Sequence, residues 1–178
     1  MFKFKPLSTD AIAGALEKAL RYRLLNQPTE AESICRDVLN VRPNDQEALV
    51  ALLLALTDQF SMVSGVDLTK AQEVLADLTG DYEKAYYEGV VAERWGKALL
   101  RKGAPGSAAV SWLGEAMRSF AKAEALSPSG NDDAILRWNA CGRMIQRTES
   151  DQMPRIDARK PEVFDDEVPQ ISPPTRST

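Results

Sequence analysis

Prolines divide this chain into short stretches, and nearly every stretch carries the periodicity of a helix. Pro28, Pro43, Pro105 and Pro128 fall between segments whose apolar residues recur three and four positions apart. A proline cannot sit inside a helix without removing a hydrogen bond and clashing with the preceding turn, so each marks a boundary. The pattern predicts helices over residues 9–26, 29–41, 45–60, 68–79, 82–101, 108–126 and 132–148. The first places Ile12, Ala15, Leu16, Ala19 and Leu20 on one face, after a cap at Ser8 or Thr9. The second repeats the arrangement through Ala31, Ile34, Cys35, Val38 and Leu39, with Thr29 and Glu32 in the spacing of a capping box. Gly103 stops the fifth helix, and Asn131 or Asp132 caps the last. No segment sustains period-two alternation, so the expected fold class is all-α.

At ~150 residues per domain, 178 residues make one domain with a tail. The division expected is an N-terminal arm over 1–10, a helical domain over 11–148 and a tail over 149–178. Five of the ten prolines fall in those last thirty residues, where Phe164 is the sole aromatic residue, and such a segment cannot build a core. It reads as a disordered or extended tail. Phe164 and Val168, set among acids in EVFDDEVPQI, have the composition of a short motif that orders on binding a partner or folds back on its own groove, a bare linker being the alternative.

Several functions are excluded by composition. A net charge of −4 argues against general affinity for nucleic acid or anionic lipid. The chain has no histidine, which removes the commonest general base and the commonest metal ligand together. Gly96-Lys97 resembles the end of a phosphate loop, but position 91 is Val and position 98 is Ala, so that pattern fails. No Gly-x-Ser-x-Gly is present, and the acidic pair Asp132-Asp133 stands at a helix start, where it answers the dipole. We therefore expect no enzymatic activity, no cofactor and no metal. Cys35 and Cys141 form no C-x-x-C and read as small core residues of a reducing compartment, a single bridge being the lesser alternative. The longest apolar run, Ala48 to Leu56, is about half of the ~20 residues a membrane span needs. A soluble, cytoplasmic protein is expected.

Helices alternating with short breaks prompt a search for repeats. Ala31, Leu39, Pro43 and Asn44, with Ala19 and Tyr22 in the preceding helix, resemble a tetratricopeptide repeat. A second match is Ala116, Phe120, Ala123 and Pro128, whose partner helix supplies Gly89. A poorer unit between them has Ala71, Leu75 and Leu78, and a last helix carries Trp138, Asn139 and Cys141. The resemblance covers about residues 11–147 and implies a right-handed solenoid of about three helix pairs plus a capping helix. A helical bundle without repeats is the alternative.

In that family the first helix of each pair lines a concave groove that takes a peptide or a partner helix. Carried over, the resemblance places Leu16, Leu20, Arg23 and Leu24 there, then Ala48, Leu52, Ala55 and Leu56, then Tyr86, Val90, Glu93 and Arg94, then Trp138 with Gln146, with simple core the alternative for Leu52 and Val90. It implies a largely apolar groove in which Arg23 and Arg94 set the charge preference. Leu16 and Leu20 occupy places where co-chaperone repeats hold lysine and asparagine, which argues against that role. The function implied is a non-enzymatic adaptor or scaffold that binds proteins. The alternative is a small structural subunit, permanently buried in a complex or self-associating.

Overall fold

A computed structural model describes residues 3–62 and 67–152. A 3-10 turn at Thr9–Ala11 leads into α1 (Ile12–Leu24), followed by α2 (Pro28–Val41), α3 (Gln46–Asp58), α4 (Leu68–Ala76), α5 (Asp81–Arg101), α6 (Gly106–Leu126) and α7 (Asp133–Gln152). Among the described residues there is no strand. No helix among them is long and apolar enough to cross a membrane.

The helix ends show how the sequence punctuates the fold. Asp45 and Asp67 cap α3 and α4, each side chain accepting the backbone N–H of the residue three positions on. After α5, Gly103 adopts φ +77°, its N–H reaches the Leu100 carbonyl and the Ala104 N–H reaches that of Leu99. This is a Schellman closure, and Asn26 (φ 58°) makes the equivalent one after α1. Asn131 accepts the Asp133 N–H at the start of α7, as its position implied.

Four boundaries differ from the sequence reading. The Thr29/Glu32 capping box does not form, because Pro28 takes the first helical position and Thr29 lies inside the first turn, bonded to Glu30. Neither Ser8 nor Thr9 caps through its side chain. Helix α4 stops at Ala76 rather than at Thr79, whose backbone and hydroxyl are held instead by the Gln46 side chain. Helix α7 also continues to Gln152, so residues 149–152 belong to the helical part. The rest of the expected tail, with Phe164 and Val168, lies outside the described residues.

Each helix packs chiefly on its neighbours in sequence, and further contacts join α1 to α3 and α3 to α5. The α5–α6 pair is antiparallel: Gly89 lies against Phe120, and Gly96 against Ala109 and Leu113. Small residues allow that approach, with Ala116 and Ala123 fully buried in the same seam. Ala19, Ala31 and Cys35 form the matching buried seam of α1 and α2. The odd-numbered helices lie side by side in the same direction, because successive bonds advance along both partners. Asp58 and Ser61 at the end of α3 meet Arg94 and Arg101 on α5, and Tyr82 and Tyr86 on α5 meet Asn131 and Arg137 near α7.

Candidate functional site

The side-by-side odd helices create one face, and that face holds an open concavity of about 640 Å³. Leu20, Arg23, Leu24 and Asn26 come from the end of α1, and Thr57, Asp58 and Ser61 from the end of α3. Helix α5 adds Glu93, Arg94, Lys97 and Arg101, and α7 adds Arg137. On α5 these positions are spaced so that a single helical stripe presents them together.

Two carboxylates organise the cations. Asp58 is the last residue of α3, where its charge opposes the helix dipole. It accepts Arg23 Nε at 2.8 Å on one oxygen and an Arg94 terminal nitrogen at 2.6 Å on the other. The same Arg94 nitrogen reaches the Thr57 hydroxyl at 2.6 Å and the Leu54 carbonyl at 3.2 Å. Burial lowers the Arg94 pKa, and Asp58 works against that shift. Guanidinium nonetheless stays charged at any pH the fold meets.

Glu93 is 2% exposed, a depth at which a lone carboxylate would be costly. It is paired with Lys97 one turn away and with Arg137 of α7 at 2.8 Å. Arg137 Nε also donates to the Tyr86 hydroxyl at 3.0 Å. Burial disfavours the Arg137 charge, but Glu93 and Tyr86 outweigh it and raise the pKa. Behind Arg137 stands an aromatic cluster: Tyr82 stacks on Tyr86, whose ring meets Tyr87 edge-on and tilts against Phe120. Arg101 is the least engaged cation, with one bond to the Ser61 hydroxyl at 3.2 Å.

Five cations thus face two carboxylates, in a protein whose overall charge is −4. Both carboxylates are occupied by arginine or lysine, so neither is free to ligate a metal. What remains available is guanidinium and ammonium N–H, beside the exposed side chains of Leu20 (42%) and Leu24 (88%). That combination binds carboxylates and covers an adjacent apolar residue.

No protein-family model matches the chain, nor does any curated protein or solved structure. The site rests on its own geometry.

The groove expected from the sequence is corrected in three respects. Leu16, Ala48, Leu52, Ala55, Leu56 and Val90 are buried at 3% or less and belong to the core between helices, so none presents itself to a partner. Tyr86 is half-buried behind the concavity, where it positions Arg137. Trp138 is exposed on α7 but lies outside the concavity that its neighbour Arg137 lines. Leu20, Arg23, Leu24, Glu93 and Arg94 do come together. The face carries charge beside the exposed Leu20 and Leu24, because Leu16, Leu52 and Val90 turn into the interhelical seams while the arginines reach over them.

Asp58, Lys97, Arg101 and Arg137 join the site without having been among the residues expected there. A signal for two of these was present, since Arg94, Lys97 and Arg101 recur at three and four positions along one predicted helix. Nothing local marked Arg137, whose role depends on the packing of α7 beside α5. Cys35 and Cys141 are free, fully buried and in separate parts of the core.

Proposed function

We propose that the protein is a non-enzymatic interaction module of tetratricopeptide type, which captures an acidic partner segment on the face of its odd-numbered helices. The observation that carries this reading is the inversion of charge: an acidic protein concentrates five cations in one open concavity. Carboxylates of an extended segment take the free N–H groups of Arg101, Lys97 and Arg137, and an apolar residue of that segment covers Leu20 and Leu24. The alternation of buried small residues in the α1–α2 and α5–α6 seams supports the tetratricopeptide architecture, as a right-handed stack of helix pairs. The absent histidines and the occupied carboxylates support a binding role over catalysis.

Selection from a library of ten-residue peptides tests the reading directly. The wild-type chain should enrich acidic peptides bearing one or two large apolar residues. Arg101→Glu removes a cation that supports no helix contact beyond Ser61, and should weaken the selected peptides about tenfold or more, with affinity falling as salt rises. Enrichment of neutral or basic peptides, or indifference to Arg101→Glu, would overturn it.

A permanent structural subunit or self-associating protein is the second reading. It is favoured by apolar exposure at the outer helices, where Leu24 and Leu25 of the first turn away from the core at 88% and 61% and Leu136 of the last is 64% exposed. Sedimentation of the purified chain separates the two, since a free adaptor is monomeric at micromolar concentration.

A further inference from the structure

The concavity has a candidate occupant within the chain itself. Residues 162–171 (EVFDDEVPQI) contain four acids and no base, whereas Arg155, Arg159 and Lys160 all precede Pro161. This acidic stretch, with those bases before it and Arg176 after it, is complementary to the cations of the odd-helix face. Its apolar residues Phe164 and Val168 flank the acids and would share one face of an extended segment, which suits it to the exposed Leu20 and Leu24 at the rim.

Reach is sufficient. Gln152 ends α7 fifteen residues beyond Arg137, which is ~22 Å of helix rise. The nine residues from 153 to 161 span up to ~30 Å when extended, enough to return to the level of Arg137. Helix α7 runs in the same direction as α5, so its end lies on the side toward which Arg94, Lys97 and Arg101 successively extend.

We propose that residues 162–171 dock in the cationic concavity of the same molecule and compete there with an external acidic segment. This rests on the reading of the concavity as an acidic-peptide site. Asp165, Asp166 and Glu167 supply the carboxylates for Arg101, Lys97 and Arg137, and Phe164 covers Leu20 and Leu24. Tethering holds the segment at an effective concentration of ~1 mM, so an intrinsic dissociation constant of ~0.1 mM suffices to fill the site about ten times out of eleven.

The test uses the full chain in two forms, wild type and the triple variant Asp165→Asn, Asp166→Asn, Glu167→Gln. Amide chemical shifts are recorded for both, and a fluorescein-labelled peptide EVFDDEVPQI is titrated into each by anisotropy. Docking predicts that neutralising the tail moves the amides of Leu24, Asn26, Lys97 and Arg101. It also predicts that the peptide binds the triple variant about tenfold more tightly than wild type, an advantage lost when Arg101→Glu is added. Unmoved groove amides with equal peptide affinity for both forms overturn the tail proposal and leave the acidic-peptide reading standing. A peptide that binds neither form, with groove amides unmoved, overturns both.

Discussion

At the scale of the residue, two glycines with the same helical setting have opposite consequences. A Cβ at Gly89 would lie 2.6 Å from the Phe120 ring, whereas one at Gly14 meets nothing within 4 Å. Gly89→Ala should therefore cost ~1–3 kcal/mol through overpacking, despite alanine's better helix propensity. Gly14→Ala should instead stabilise by ~0.5–1 kcal/mol, because only the propensity difference remains. Urea unfolding of the two variants decides the matter, and Phe120→Leu should recover part of the Gly89→Ala loss. The thiols offer a second measurement. Burial raises Cys35 from 9.0 to about 11, and burial aided by the Glu93 charge raises Cys141 from 9.0 to about 12. The folded thiols keep their protons where the unfolded ones release them, so their stabilising effect is complete below pH 9 and is lost as pH rises through the folded values. Unfolding free energy should fall above pH 9 by ~1.4 kcal/mol per pH unit for each thiol, Cys35 levelling off first. At pH 8 a thiol reagent should react at the rate of unfolding, with no fast phase.

At the scale of the element, Asp58 ties three helices together, because its two oxygens hold α1 through Arg23 and α5 through Arg94. Asp58→Ala leaves those arginines facing each other without a counter-charge, and removes a carboxylate that is only partly screened by solvent. The expected cost is ~1–3 kcal/mol, below that of a fully buried pair because the Asp58 side chain is 27% exposed. Hydrogen exchange should show the loss first in the final turn of α1, and a uniform loss across all helices would contradict this account. Most element boundaries were legible in the sequence, since capping aspartates, Pro28 and Gly103 act within a few residues of their own position. The end of α4 was not, because Thr79 is captured by Gln46, which lies 33 residues away.

At the scale of the whole molecule, helices packed mainly on their sequence neighbours share stability unevenly. Helices α5 and α6, at 21 residues each, are flanked on both sides, while α1 has 13 residues and an open outer side. Native-state exchange should rank α5 and α6 as most protected and α1 as least, and equal protection throughout would show that the fold opens as one unit. Periodicity and prolines determined by themselves that the chain is helical, about where each helix lies, and that Ala19 and Ala31 lie on buried faces, while Ala116, Phe120 and Ala123 stood out only through the repeat resemblance. Those features depend on local backbone geometry and on which side of a helix is apolar. The sequence did not determine that Lys97, Arg101 and Arg137 gather over Asp58 and Glu93. Which side of a helix meets a neighbour and which stays open is set by the stacking of helices distant in the chain, and the cationic face exists only once α1, α3, α5 and α7 stand side by side.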